Sequence, residues 1–282
     1  VPTNGAMPQQ AVPKPKSKIT SIEPWHEEVG SEILEQISSE LAKRIYLDDG
    51  KSLLAITWVA HANMFADFDV TPRLAITAPS SECGKSTLSN ALLAMTDNCL
   101  GSEALTDAAF IRYAARGNMV FHWDEADETF NRYSKGKDIT KALNGGWESG
   151  GAFHKCSGDD HEPTEMPTHA AVALIGKNLE KSLPSATLSR CLILHMQRSP
   201  RGFHIWRKRK DLPVFQQLGR KLVRWINDNR EAIADHEPTY LDALSSREND
   251  KWAPLLAIAE YASDDLGRRL RTYIHSSSKF SN

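Results

Sequence analysis

Apolar residues recur at Val29, Ile33, Leu34, Ile37, Leu41 and Ile45, close to the 3.6-residue period of one helix face, and a second apolar-rich segment covers 53–65. Two helices are therefore predicted ahead of the core. The pattern then changes to alternation. The run Leu74-Ala75-Ile76-Thr77 is followed by helical patterns over 85–95 and 107–115, and then by the run Met119-Val120-Phe121-His122-Trp123. Further strand candidates lie at 170–175 and 191–196. Strands alternating with helices predict an α/β fold with a mostly parallel sheet flanked by helices. Between Trp123 and Ala170 lie a predicted helix (139–143), a glycine cluster and a stretch, Ala152-Phe153-His154-Lys155-Cys156, that opens a hairpin. Beyond Pro200 the strand signal ends. Helical periodicity (Val214, Leu218, Leu222, Trp225, Ile226, then Trp252, Leu255, Leu256, Ile258, Ala259) makes the last unit all-helical.

These patterns divide the chain into a flexible tail or linker (1–19, with four prolines and no apolar period), an N-terminal helical segment (20–66), a core (67–200) and a C-terminal helical lid (201–282). The opening Val1-Pro2-Thr3-Asn4 carries the expectation of a fragment of something longer. Lys plus Arg number 34 against 36 Asp plus Glu, so no global positive excess recruits nucleic acid and any such contact must be local. The longest apolar stretch, over 53–60, is broken by Thr57 and falls far short of the roughly 20 residues that span a bilayer, so no membrane helix and a cytoplasmic setting are expected. Four dispersed cysteines without a CxxC pair predict neither disulfides nor a metal cage.

The sharpest chemical signal is Pro79-Ser80-Ser81-Glu82-Cys83-Gly84-Lys85-Ser86-Thr87, which follows a strand pattern and opens a helical one, the context of a phosphate-binding loop. In such a loop backbone N–H groups surround phosphates, the lysine neutralises their charge and the next hydroxyl ligates Mg²⁺. Those roles fall to Lys85 and Ser86. Pro79 stands where the pattern wants glycine, so the first turn rests on a fixed negative φ. A second signal is Asp124-Glu125 at the end of the strand pattern over 119–123: Asp124 is the expected metal partner and Glu125 the group that orients or deprotonates the attacking water. Asp127 and Glu128 read as surface charge. Asn178, after the strand at 170–175, is the expected positioner of that water, and Arg190, just before the strand at 191–196, stands where a guanidinium can reach a neighbouring subunit.

In this order the motifs resemble the AAA+ ATPases, a branch of the P-loop NTPases, and among them the superfamily-three-like helicases of phages and mobile elements. Pro24-Trp25, the loop at 79–87, Asp124-Glu125-Ala126-Asp127 and the segment Asn249-Asp250-Lys251-Trp252-Ala253-Pro254-Leu255-Leu256-Ala257-Ile258-Ala259 look like the ATPase domain of phage- and plasmid-type primase-helicases, over about residues 22–265. Proline at the first loop position is common there. The resemblance implies a ring, usually hexameric, that hydrolyses ATP with Mg²⁺ between subunits and pulls single-stranded DNA through its centre. It implies that Arg190 acts on the next subunit's nucleotide and that Arg247 is a second sensor arginine joining the helical lid to nucleotide. It also implies a DNA-gripping hairpin within 152–171. Its basic residues here are His154 and Lys155, while the tip Ser157-Gly158-Asp159-Asp160-His161-Glu162 is acidic and would repel phosphates. The sequence thus leaves open a rival in which ATP drives assembly of a regulatory or defence switch without DNA translocation.

Overall fold

The computed structural model describes residues 29–102, 105–130, 137–156, 163–200 and 204–278. The tail at 1–19, Pro24-Trp25 and the acidic hairpin tip lie outside the described residues. The chain opens with α1 (Gly30–Ala42) and α2 (Asp49–Ala62), and the Asp48 carboxylate caps the second by accepting from the Lys51 N–H at 2.8 Å. α2 is buried along nearly its whole length, which explains why its sequence shows no single apolar stripe.

Five parallel strands follow: β1 (Arg73–Ala78), β2 (Cys99–Ser102), β3 (Val120–Trp123), β6 (Ala171–Lys177) and β7 (Cys191–His195), in the order β2-β3-β6-β1-β7. β1 and β3 are buried at every position, and continuous apolar runs are what a sheet covered on both faces requires. β2 was not read from the sequence, because four residues interrupted by Gly101 carry no period. β4 (Ala152–Cys156) and β5 (Pro163–Pro167) form a separate antiparallel hairpin.

Helices cover the two faces unequally. On one face α3 (Lys85–Met95), α1, α2 and the C-terminal helices α9 (Lys208–Ala234), α10 (Ser246–Ala262) and α11 (Asp264–Ser278) share one hydrophobic core, in which Trp58, Leu92, Phe215, Leu222 and Ile258 are buried. The opposite face is covered by α4 (Asp107–Ala114), α5 (Ala126–Thr129), α6 (Lys137–Gly145) and the short α7 (Leu179–Ser182) and α8 (Ser185–Leu188). Its packing is aromatic: Phe110 lies 4.7 Å from Phe121 and 5.9 Å from Trp123, each such pair contributing about 0.5–1.5 kcal/mol beyond area burial.

At the amino edge of the sheet the fully buried Arg73 holds three segments together. Its guanidinium donates to Thr71 O (3.4 Å), to Leu143 O at the end of α6 (2.6 Å) and to Ala170 O. Burial pulls its pKa down to about 10, with Cys191 acting against the shift and Arg190 adding to it. Among the described residues no helix is long and apolar enough to cross a membrane.

Candidate functional site

The loop after β1 turns into α3 through Gly84, whose φ of 83° is a left-handed conformation that glycine adopts without a steric penalty. Lys85 is then the first helical residue, and its ammonium donates to Ser80 O at 2.9 Å. Residues 81–87 line one wall of a cleft of about 400 Å³ at the carboxyl end of the sheet. Asp124, Glu125, Asp127 and Glu128 line a second wall, and Gly176 and Lys177 lie between them, because β6 separates β1 from β3. The two strongest sequence motifs therefore meet across one intervening strand.

The backbone around the cleft is strained in three places. Glu82, Glu125 and Asn178 take φ values of 60°, 52° and 46°, one in each of the loops that follow β1, β3 and β6. A left-handed non-glycine residue costs on the order of 1 kcal/mol or more and persists only where its surroundings enforce it. For Glu125 the enforcing contact is its own N–H, which donates to Asp124 Oδ1 at 3.0 Å; for Asn178 it is an N–H bond to Ala78 O at 3.1 Å. Gly176 permits a close approach: a Cβ there would lie 2.3 Å from Asp127 Oδ1 and 2.7 Å from Leu179 Cδ2. Asp127, half-buried against Gly176, is thus part of the cleft, correcting its reading as surface charge, while Glu128 is exposed at the cleft's rim.

Thr77, buried at the end of β1, accepts from the Leu179 N–H at 3.1 Å and donates to Glu180 Oε2 at 3.3 Å. Glu180 Oε1 lies 3.2 Å from His195 Nδ1, so the ends of β1, β6 and β7 are joined by one polar chain beneath the cleft. Burial lowers the Lys85 pKa, Cys83 opposes that shift, the Lys177 charge adds to it, and Asp127 and Asp124 oppose it. Lys177 therefore belongs to the cleft's cationic side. Asn178 is exposed and its side chain is not among the groups that line the cleft.

The mouth of the cleft is made by Arg44, Ile45 and Tyr46 after α1 and Gln197 and Ser199 after β7, which sequence reasoning missed, together with His204 before α9. Asp211, 3% exposed, organises this side. It accepts from the Arg207 N–H (2.6 Å) and Arg44 Nε (2.8 Å), and His204 Nε2 lies 3.0 Å away. Burial alone raises the Asp211 pKa, but the Arg207 N–H, Arg44 and His204 together hold it well below the usual carboxylate range. Three members of this network, His204, Arg207 and Asp211, lie within one short segment before and at the start of α9, and only Arg44 is brought to them from far along the chain.

The remaining candidates lie elsewhere. Pro79 and Ser80 are exposed but do not line the cleft. Arg190 lies before β7 and Arg247 in the first turn of α10; neither lines the cleft, and the charge of Arg247 acts on Arg190. His154 and Lys155 are exposed on β4, with Glu165 directly opposite His154 and Thr164 opposite Lys155. Ser86 and Asp124, both in the cleft, supply the hard oxygen donors that a hydrated Mg²⁺ takes from a protein.

Residues 195–279 match a family described as a protein of unknown function (DUF3631). No curated protein matches the chain. The chain is similar, at 12% identity and a TM-score of 0.45, to a solved structure described as the A form apo structure of the NrS-1 C-terminal region, with 92% of this chain and 55% of that one covered. The chain thus spans little more than half of that structure's length.

Proposed function

We propose that this chain is a P-loop NTPase that binds ATP with Mg²⁺ in the cleft at the carboxyl end of the sheet and hydrolyses it within a ring of identical copies. The observation that carries the reading is the meeting of residues 81–87 with Asp124 and Glu125 across β6, on one cleft of about 400 Å³. A loop leading into a helix N-terminus suits phosphate, and carboxylates facing it suit a metal and a water. Mg²⁺, when bound, neutralises charge on the phosphate oxygens.

In this reading the 79–87 backbone and Lys85 bind the phosphates, Ser86 and Asp124 hold the metal, and Glu125 takes the proton of the attacking water. The Arg190 guanidinium of a neighbouring copy stabilises the charge that develops on the transferred phosphoryl group. The motor reading adds single-stranded DNA gripped by His154 and Lys155 of the β4–β5 hairpin, which makes the ring a replicative helicase. Glu165 opposite His154 favours a second reading, in which ATP drives assembly and DNA plays no part.

Steady-state ATPase rate with and without single-stranded DNA, at low and moderate salt, separates the two. Stimulation by DNA that weakens with salt supports the motor. Turnover indifferent to DNA supports the switch, and no Mg²⁺-dependent turnover at any protein concentration contradicts hydrolysis in both.

A further inference from the structure

Arg190 and Arg247 sit together at the edge of the sheet opposite the cleft. The Arg190 carbonyl accepts from the N–H of Arg73, the first residue of β1, at 3.0 Å. The cleft begins beyond Ala78, the last residue of β1, roughly 16 Å further along at a strand's rise per residue. α10 brings Arg247 to the same edge. One helical turn after Arg247, Lys251 Nζ donates to Cys191 O at 3.3 Å, which lays that face of α10 over the start of β7.

The Arg190 guanidinium is poorly neutralised. Arg190 Nη1 donates to Ala186 O at 2.7 Å, while its Nε is buried without a hydrogen-bond partner among the described residues. Burial, followed by the charge of Arg247, lowers the Arg190 pKa, and Glu148 is the carboxylate that opposes the shift. Two cations held side by side favour an anion between them, and the chain's own cleft is too far away to provide it. A second copy provides it in a head-to-tail contact, where the cationic amino edge of one sheet faces the cleft of the next, rimmed by Asp124, Glu125, Asp127 and Glu128 and carrying the bound phosphates.

We propose that Arg247 acts across the interface together with Arg190, both arginines contacting the phosphates of the nucleotide held by a neighbouring copy. This rests on the NTPase reading and reverses the expectation that Arg247 serves its own chain's nucleotide.

Mixing experiments decide between the two placements. Arg190→Ala and Arg247→Ala are each expected to lower the ATPase rate at least about tenfold, as loss of a trans-acting arginine does. Each is expected to recover in part when mixed with Lys85→Ala, because about a quarter of the contacts in an equal, head-to-tail mixture join an intact cleft to an intact edge. The deciding mixture is Arg190→Ala with Arg247→Ala. Every edge in it lacks one arginine, so the rate is expected to stay at the level of the separate variants; recovery would place Arg247 in its own chain's site and overturn the proposal.

A second measurement does not depend on turnover. With the protein dilute enough to be monomeric, a fluorescent ATP analogue is expected to bind Arg247→Ala within about twofold of wild type, whereas ATP-dependent self-association, followed by sedimentation, is expected to weaken. Several-fold weaker binding by the monomer, or undiminished assembly, would overturn the trans placement. Failure of the NTPase reading looks different: wild-type protein that binds no nucleotide overturns both, while wild-type protein that binds and assembles without turnover removes hydrolysis and leaves Arg247 to the assembly measurement.

Discussion

Glu125 reaches the cleft from a left-handed backbone held by the Asp124 carboxylate, so changes at this position separate chemistry from architecture. Glu125→Gln keeps the side chain's shape and removes its basicity. Turnover is expected to fall by roughly 10²-fold or more while ATP affinity stays within a few-fold, measured by steady-state kinetics beside equilibrium binding. Gly176→Ala tests the packing of the same wall. Its Cβ would meet Cδ2 of the buried Leu179 at 2.7 Å and the Asp127 backbone N at 3.0 Å, so a loss of about 1–3 kcal/mol in stability is expected by denaturant unfolding, and an unchanged midpoint would contradict the close approach. Lys85, Asp124 and Glu125 were legible because their chemistry is encoded within a few consecutive positions. Asp127 was not, because its place is fixed by Gly176, 49 positions further along the chain and on another strand. Tyr46 was hidden for the same reason: it sits in no motif, and only folding brings it to the mouth of the cleft.

Among the elements, β1, β3, β6 and β7 could be read as buried runs and α3 as a helix beginning at Lys85, since each carries its own period or its own boundary signal. β2 escaped because its pairing with β3, rather than its composition, makes it a strand. The elements also set the response to acid. His61 in α2 is fully buried, with Nε2 3.0 Å from Thr71 Oγ1, and burial, followed by the charges of His169 and Arg73, lowers its pKa to about 3. Burial lowers the His169 pKa as well. An unfolded histidine titrates near 6.5, so the unfolded chain binds protons first and stability is expected to fall as pH drops from about 6.5 toward 3. Asp211, depressed by its partners, adds a further loss only below about pH 4, where the unfolded carboxylate protonates. Thermal midpoints measured from pH 8 to 3 should show the first decline near 6.5, and His61→Gln should make that part shallower. A midpoint flat down to pH 4.5 would contradict the neutral, buried histidine.

On the scale of the whole molecule, the parallel sheet has two chemically different edges. Its carboxyl edge holds the cleft with Lys85 and five acidic residues, and its amino edge holds Arg190 and Arg247, with Arg73 buried behind them. One copy is therefore incomplete as a catalyst in the proposed reading, and copies joined head to tail complete one another. The hairpin's contribution is separable: Lys155→Ala should reduce DNA stimulation several-fold without changing the rate in the absence of DNA, as measured by ATPase titration with single-stranded DNA. Equal stimulation of variant and wild type would remove Lys155 from the DNA contact. The central claim, hydrolysis at a cleft completed by a second copy, is tested most directly by ATPase rate per subunit as a function of protein concentration, with Glu125→Gln as the control. The expected result is a rate that climbs with concentration to a plateau and is absent in the Glu125 variant. A constant rate per subunit across the range, or wild-type turnover by the variant, would contradict it.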